Sequence, residues 1–414
     1  MVNSNPYNNQ NASFIPRSVS KSHNLYFLEF MLIIFFFAYY LLPAVASAVP
    51  FMVALFIGIG YLAYLFVREP FWRVPIGVFL FLCIGISLLY FFFTDKTLIA
   101  TSVSNYEFKR ISSKINEYFM MFFPVCMFVR IYTKASERQK KLLYLIAVIT
   151  FSFVIINTFV ELMTNERAVR DWSGFSENNE NNIGTYAYVY AVPMVVTALT
   201  SLLYGRRGIS KIAVIGIIIF LFVFLLAAQY TLALLATIIG IALQISANIK
   251  NVGLKLLLWL LFLGILLILP TLLEFFADTI QSEDIAIRFR ELASFFGGGD
   301  ASGYNLNGRM ELYGKSIQAF FKSPLIGNRN VGFDGHATFL SVPADIGVFG
   351  LFAILILVIK SKKYTSALMG EKQRQFTPVF ACLIIMGLTN PIHGATTALF
   401  ATWLLAPMIL KTHR

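Results

Sequence analysis

Apolar residues in this chain come in repeated blocks of roughly 17 to 24, the length a helix needs to cross a hydrocarbon core about 30 Å thick. About twelve blocks can be drawn, at approximately 26–48, 51–67, 74–93, 115–132, 141–163, 184–204, 211–228, 230–248, 253–276, 337–360, 376–391 and 394–411. No soluble fold covers that many such blocks, and the composition agrees: 58% of residues are hydrophobic and 13% charged. The bilayer must be the solvent. The expected fold class is all-α, a polytopic membrane protein with about twelve transmembrane helices.

Lysine and arginine set the expected orientation. With the N-terminus inside, the inner segments hold 21 of the 33 basic residues and only four of the 21 acids. The outer segments are then net negative, and both termini are cytoplasmic. The net charge of +12 is thus a topology signal and gives no reason to expect nucleic acid. Cys83, Cys126 and Cys382 all fall in apolar blocks without partners at ligand spacing, so packing is their expected role and no metal or cofactor is implied. The first 25 residues read as a disordered cytoplasmic tail. Ala44 to Ala48 resembles a signal-peptidase site, but the block before it is too long for a signal core, so it reads as an uncleaved first helix.

The chain divides into a tail (1–25), helices one to nine (26–276), a long loop (277–336) and helices ten to twelve (337–414). The loop is the outlier. It starts with a stretch bearing Arg288 and Arg290, relaxes through Gly297 to Gly303, and then predicts an amphipathic helix with Asn307 or Gly308 as its N-cap. Met310, Tyr313, Ile317, Phe320 and Phe321 recur there at helical spacing and predict one apolar stripe. Ser323-Pro324 should stop the helix, since proline cannot continue the ladder. Glycines then lead down to His336, and Asp345 follows at membrane depth, where an ionisable group is costly and usually faces a cavity.

Four pieces now stand in order: Asn307-Gly308-Arg309 with Tyr313, Ser323-Pro324-Leu325-Ile326-Gly327, Gly335-His336, and Asp345-Ile346-Gly347-Val348-Phe349-Gly350. Together they resemble the signature of the bacterial O-antigen ligase and polymerase superfamily. Upstream, Arg170-Asp171-Trp172-Ser173-Gly174, followed by an asparagine-rich run, is similar to another outer loop of that superfamily. The chain departs from the pattern at Gln229-Tyr230-Thr231, where members often carry an arginine at the start of the eighth span. Arg170, Arg288 or Arg290 would have to supply that charge.

The resemblance implies a metal-independent glycosyltransferase of the bacterial inner membrane. It would use undecaprenyl-pyrophosphate-linked oligosaccharides, among membrane lipid, with a chain-length regulator protein as a further partner. The residue types suit the task. A lipid pyrophosphate carries about two to three negative charges, and guanidinium forks bind such oxygens bidentately at any relevant pH. Arg309, at the start of a helix, is the first candidate; Arg288, Arg290 and Arg170 follow. The acceptor hydroxyl needs a base. His336 is the candidate, and Asp345 would orient or replace it. His393 reads as a turn residue. Repeat-unit polymerisation is the expected activity, and ligation to lipid A–core the alternative. A flippase or transporter, the competitor from another class, would need charges within the spans.

Overall fold

A computed structural model describes residues 24–69, 73, 75–81, 84–85, 119, 121–165, 167–171, 182–204, 210–279, 283, 286–287, 289–290, 293–294, 306–325, 327, 337–392 and 394–412. Among these the structure is helical and contains no strand. Among the described residues five helices are long and apolar enough to cross a membrane, and four shorter ones are also apolar. The chain is an all-α protein of membrane type.

The helices are α1 (Phe27–Leu41), α2 (Pro43–Ala48), α3 (Phe51–Arg68), α4 (121–134), α5 (Glu137–Thr164), α6 (Ala168–Asp171), α7 (Tyr186–Leu202), α8 (Lys211–Ala227) and α9 (Thr231–Asn248). They continue as α10 (Val252–Thr279), α11 (Leu306–Lys322), α12 (Thr338–Met369), α13 (Gln373–Thr389), α14 (Thr396–Phe400) and, after a π turn, α15 (Ala406–Thr412). Residues 75–81 are also helical.

Local chemistry fixes the breaks. Pro43 lacks an N–H, so the first apolar block splits into α1 and α2 at Leu42. The carbonyls this frees are taken up by side chains: Tyr188 hydroxyl donates to Leu41, and Thr397 Oγ1 to Tyr40 at 2.9 Å. Ser136 and Gln139 form a reciprocal capping box at the start of α5. Gln139 also reaches across to the main chain of Leu25, which is buried, so the polar tail ends in a docked residue rather than at a free boundary. Gln229, at φ 57°, makes the tight reversal between α8 and α9.

The core is built around α7, of which nearly every residue is buried. It packs against α8, α9, α13, α14 and α15. In contrast α10 buries only Leu273 and Ala277, and from Leu256 to Leu269 it is apolar all round, as a lipid-facing helix requires.

In the sequence Glu29, Arg130 and Glu69 stand near the ends of the apolar blocks 26–48, 115–132 and 51–67, and the structure brings them together. Arg130 on α4 is buried and forks onto buried Glu29 of α1, with Nη2 donating to Oε2 at 3.1 Å. Its Nη1 bonds Glu69, just past α3, and Tyr61 hydroxyl donates to Glu29 at 2.8 Å. Sequence position alone put these residues at helix ends. Packing of α1, α3 and α4 brings them inside, where a charge persists only when paired.

Candidate functional site

The loop helix and the tenth apolar block form one unit. Helix α11 begins at Leu306, so Asn307 and Gly308 lie in its first turn, one or two residues inside the expected cap. It ends as expected at Ser323, before Pro324. Its buried face differs from the expected stripe. Ser316 and Ala319 are the buried residues, Tyr313 and Phe320 are half-buried, and Ile317 and Phe321 point outward. The cause is close approach: α11 packs along α12, and only small side chains fit between them.

Past Lys322 the chain turns onto a break in α12. Pro343 removes one rung of the ladder, and at Gly347 the backbone leaves helical geometry altogether, with φ 67° and ψ −154°. The turn docks there. The N–H of Val348 donates to the Pro324 carbonyl at 2.7 Å, and that of Gly327 to the Ser323 carbonyl at 2.9 Å. Gly327 also has positive φ, 72°. The two glycines face each other with no room for a side chain. A Cβ on Gly347 would stand 2.5 Å from the Leu325 carbonyl carbon and 2.7 Å from the Gly327 nitrogen. A Cβ on Gly327 would overlap the Asp345 carbonyl. So the Ser-Pro-Leu-x-Gly turn and the Asp-x-Gly-x-x-Gly segment are two halves of one backbone contact.

A second tie fixes the other end. Tyr313 hydroxyl donates to the Thr389 carbonyl at 2.8 Å, at the end of α13. The adjacent Asn390 carbonyl accepts from the N–H of Thr338 at 3.2 Å and from its hydroxyl at 3.3 Å. Arg309 lies one turn before Tyr313 on α11, and His336 two residues before Thr338. Tyr313 and Thr338 are therefore anchored on neighbouring carbonyls of one helix end.

Among the candidates, Asp345 is described: half-buried, two residues before the break, with its own interaction partner. Arg290 is exposed and ion-paired with Asp278 at 2.9 Å, which occupies one face of its guanidinium. His336, Arg288 and His393 lie outside the described residues, as do the side chains of Arg309 and Arg170. Cys126 and Cys382 are buried and free, in keeping with packing, while Cys83 lies outside the described residues. On α11, Glu311 pairs with Lys315 at 2.6 Å. The hydrogen bond from Lys315, and then its charge, holds the Glu311 carboxyl below its ordinary value.

The departure at Gln229 has a structural counterpart. Gln229, Tyr230 and Thr231 line an apolar cleft with Leu225, Leu234 and Phe289. Phe289 sits between the two loop arginines in sequence and packs on the small cluster of Leu273 of α10 and Ala293. Phe289 of the loop therefore reaches the α8–α9 reversal. Nothing in the sequence indicated that Phe289 would reach it.

Comparison with protein-family models gives no match, and comparison with curated proteins gives none either.

Proposed function

We propose that this chain is a polysaccharide repeat-unit polymerase of about twelve membrane spans, working on the outer face of a bacterial inner membrane. It transfers a growing glycan from undecaprenyl pyrophosphate to the non-reducing end of a lipid-linked repeat unit. The acceptor hydroxyl oxygen bonds to the anomeric carbon of the donor as the bond from that carbon to the phosphate oxygen breaks. The proton goes to His336, or to Asp345 in its place. The pyrophosphate departs with its negative charge held by Arg309, with Arg170, Arg288 and Arg290 as further donors.

One observation carries the reading. Three of the four segments singled out from the sequence meet as one packed unit among the described residues, with the Ser323–Gly327 turn seated on the break at Gly347. A solvated surface loop has no need of two facing positive-φ glycines. A break at membrane depth also leaves backbone that lipid cannot satisfy, which occurs where the chain is covered by protein or lines a cavity.

A second reading, a lipid-linked sugar flippase or transporter, gains from the buried Arg130–Glu29 pair, since paired intramembrane charge is common in transporters. The two are separable. Arg309→Ala and His336→Ala should leave the protein in the membrane and abolish long glycan chains on a gel. Normal chain lengths in both variants would overturn the catalytic assignment. If a strain lacking the protein accumulates units on the inner leaflet, the transporter reading wins. If it builds long lipid-linked polymer that never reaches lipid A–core, the protein is the ligase.

A further inference from the structure

Away from the candidate site, unused polar groups meet between α7, α9 and α13, which pack on one another. Gly240, Gln244 and Asn248 follow at four-residue spacing and so share one face of α9. At Gly240 the three helices touch: a Cβ there would lie 2.6 Å from Cys382 Sγ and would overlap the Thr197 hydroxyl. At the far end of the stripe Asn248 closes the gap. Its Nδ2 donates to the Gln244 carbonyl at 2.7 Å, and its Oδ1 accepts from Gln375 Nε2 of α13 at 3.2 Å.

Between these two closures lies the side chain of Gln244. It is fully buried, and neither its Nε2 nor its Oε1 has a hydrogen-bond partner. The Oε1 of Gln375 is likewise buried and unpartnered. An amide offers two N–H donors and an oxygen with two lone pairs. Leaving all of them unmet in an apolar bundle is costly, more so in lipid than in a soluble core. Ser201, one turn beyond Thr197 on α7, is also buried and donates to the Ala198 carbonyl, so its lone pairs remain able to accept.

A water molecule inside a protein needs about two to four polar partners, and cavities that lack them stay dry. Here the polar partners are present: both ends of the Gln244 amide and the Oε1 of Gln375, all buried and unpartnered. We propose that Gln244 and Gln375 hold an internal water site that joins α9 to α13. Water bridges the Gln244 amide to the Gln375 oxygen and completes a layer that Asn248 begins. The site is uncharged and independent of the glycan chemistry.

Hydroxyl radicals generated by an X-ray pulse label side chains beside bound water, even where bulk solvent does not reach. Cys382 of α13, which lies against Gly240 one turn from Gln244 and is fully buried, is the reporter; Cys126, equally buried and free, is the control. In the full-length protein in detergent, mass spectrometry should show Cys382 oxidised several-fold more than Cys126, and Gln244→Met should remove the difference. Gln244→Met should also lower the melting midpoint by a few degrees, because it takes away the water's ligands. Equal labelling of the two cysteines in the unmodified protein would overturn the proposal. So would an unchanged or raised midpoint in Gln244→Met, the outcome for a dry amide. If that variant fails to fold, the comparison of the two cysteines in the unmodified protein still decides.

Discussion

Replacing Gly347 by alanine tests the contact on which the site rests. Its backbone, at φ 67° and ψ −154°, lies in a region essentially confined to glycine. Holding a residue with a side chain there costs roughly 1–3 kcal/mol. The methyl group would then stand 2.5 and 2.6 Å from the Leu325 carbonyl carbon and oxygen and 2.7 Å from the Gly327 nitrogen. All three are backbone atoms, so no rotamer change relieves the overlap. Overpacking of this kind adds roughly 1–3 kcal/mol, for a total of about 2–6. The cheaper escape is for the turn to lift off, which breaks the bond from Val348 N–H to the Pro324 carbonyl. Gly370→Ala is the matched comparison. That glycine also has positive φ, 57°, but a Cβ there meets nothing within 4 Å. It should show only the backbone part, about 1–3 kcal/mol. The assay is the melting midpoint of detergent-solubilised protein by tryptophan fluorescence, with trypsin cleavage after Lys322, at the start of the docked turn, as the local readout. Gly347→Ala should melt well below Gly370→Ala and be cut faster. Equal midpoints and equal cleavage would refute the docked geometry.

Tyr313→Phe removes one hydrogen bond, the one to the Thr389 carbonyl, and should cost about 1 kcal/mol; if the proposed polymerase function holds, it should also shorten glycan chains out of proportion to lost stability. Chains of normal length would show that this tie does not position the site. Arg130→Met leaves buried Glu29 uncompensated and should cost roughly 3–5 kcal/mol, much of it recovered by adding Glu29→Met. A double variant no more stable than the single would mean that the pair is not coupled as described. Because Lys315 lowers the Glu311 value, that pair stabilises above the ordinary carboxylate range and its contribution fades as pH falls through the lowered value. A melting difference between the unmodified protein and Lys315→Ala should therefore be present at neutral pH and vanish in acid. Its persistence in acid would contradict the pairing.

Much of the helix plan was readable because a bilayer admits few alternatives: an apolar run of spanning length has to be helical. The boundaries near Gln229 and Ser323 follow from a polar residue in an apolar context and from proline, both local signals, whereas the break at Leu42 inside the block 26–48 was not foreseen although Pro43 causes it. What escaped the sequence depends on neighbours. Glu29, Arg130 and Glu69 looked like helix-end charges, and only the packing of α1, α3 and α4 turned them into a buried network. The stripe on α11 was misread for a related reason. Apolarity predicts which residues avoid water, but beside lipid Ile317 and Phe321 can stay outside while Ser316 and Ala319 take the tight contact.

Glycine shows where the limit lies. Gly264 in α10 and Gly347 in α12 both stand in long apolar runs, and the sequence alone does not rank them. A Cβ on Gly264 would meet nothing within 4 Å, so that position tolerates any helix-compatible residue. A Cβ on Gly347 would meet the backbone of a turn some twenty residues earlier. The distinction was available only indirectly, from Pro343 four residues upstream and from a second glycine, Gly327, with no helix to belong to. A proline that breaks a ladder and a glycine that adopts positive φ one turn later together open a helix to an incoming strand of backbone. Gly264→Ala should therefore leave the melting midpoint unchanged or raise it slightly, since alanine favours helix by up to about 1 kcal/mol over glycine. If it instead destabilises as much as Gly347→Ala, then α10 is packed against something other than lipid, and its exposed face is not what holds it in the membrane.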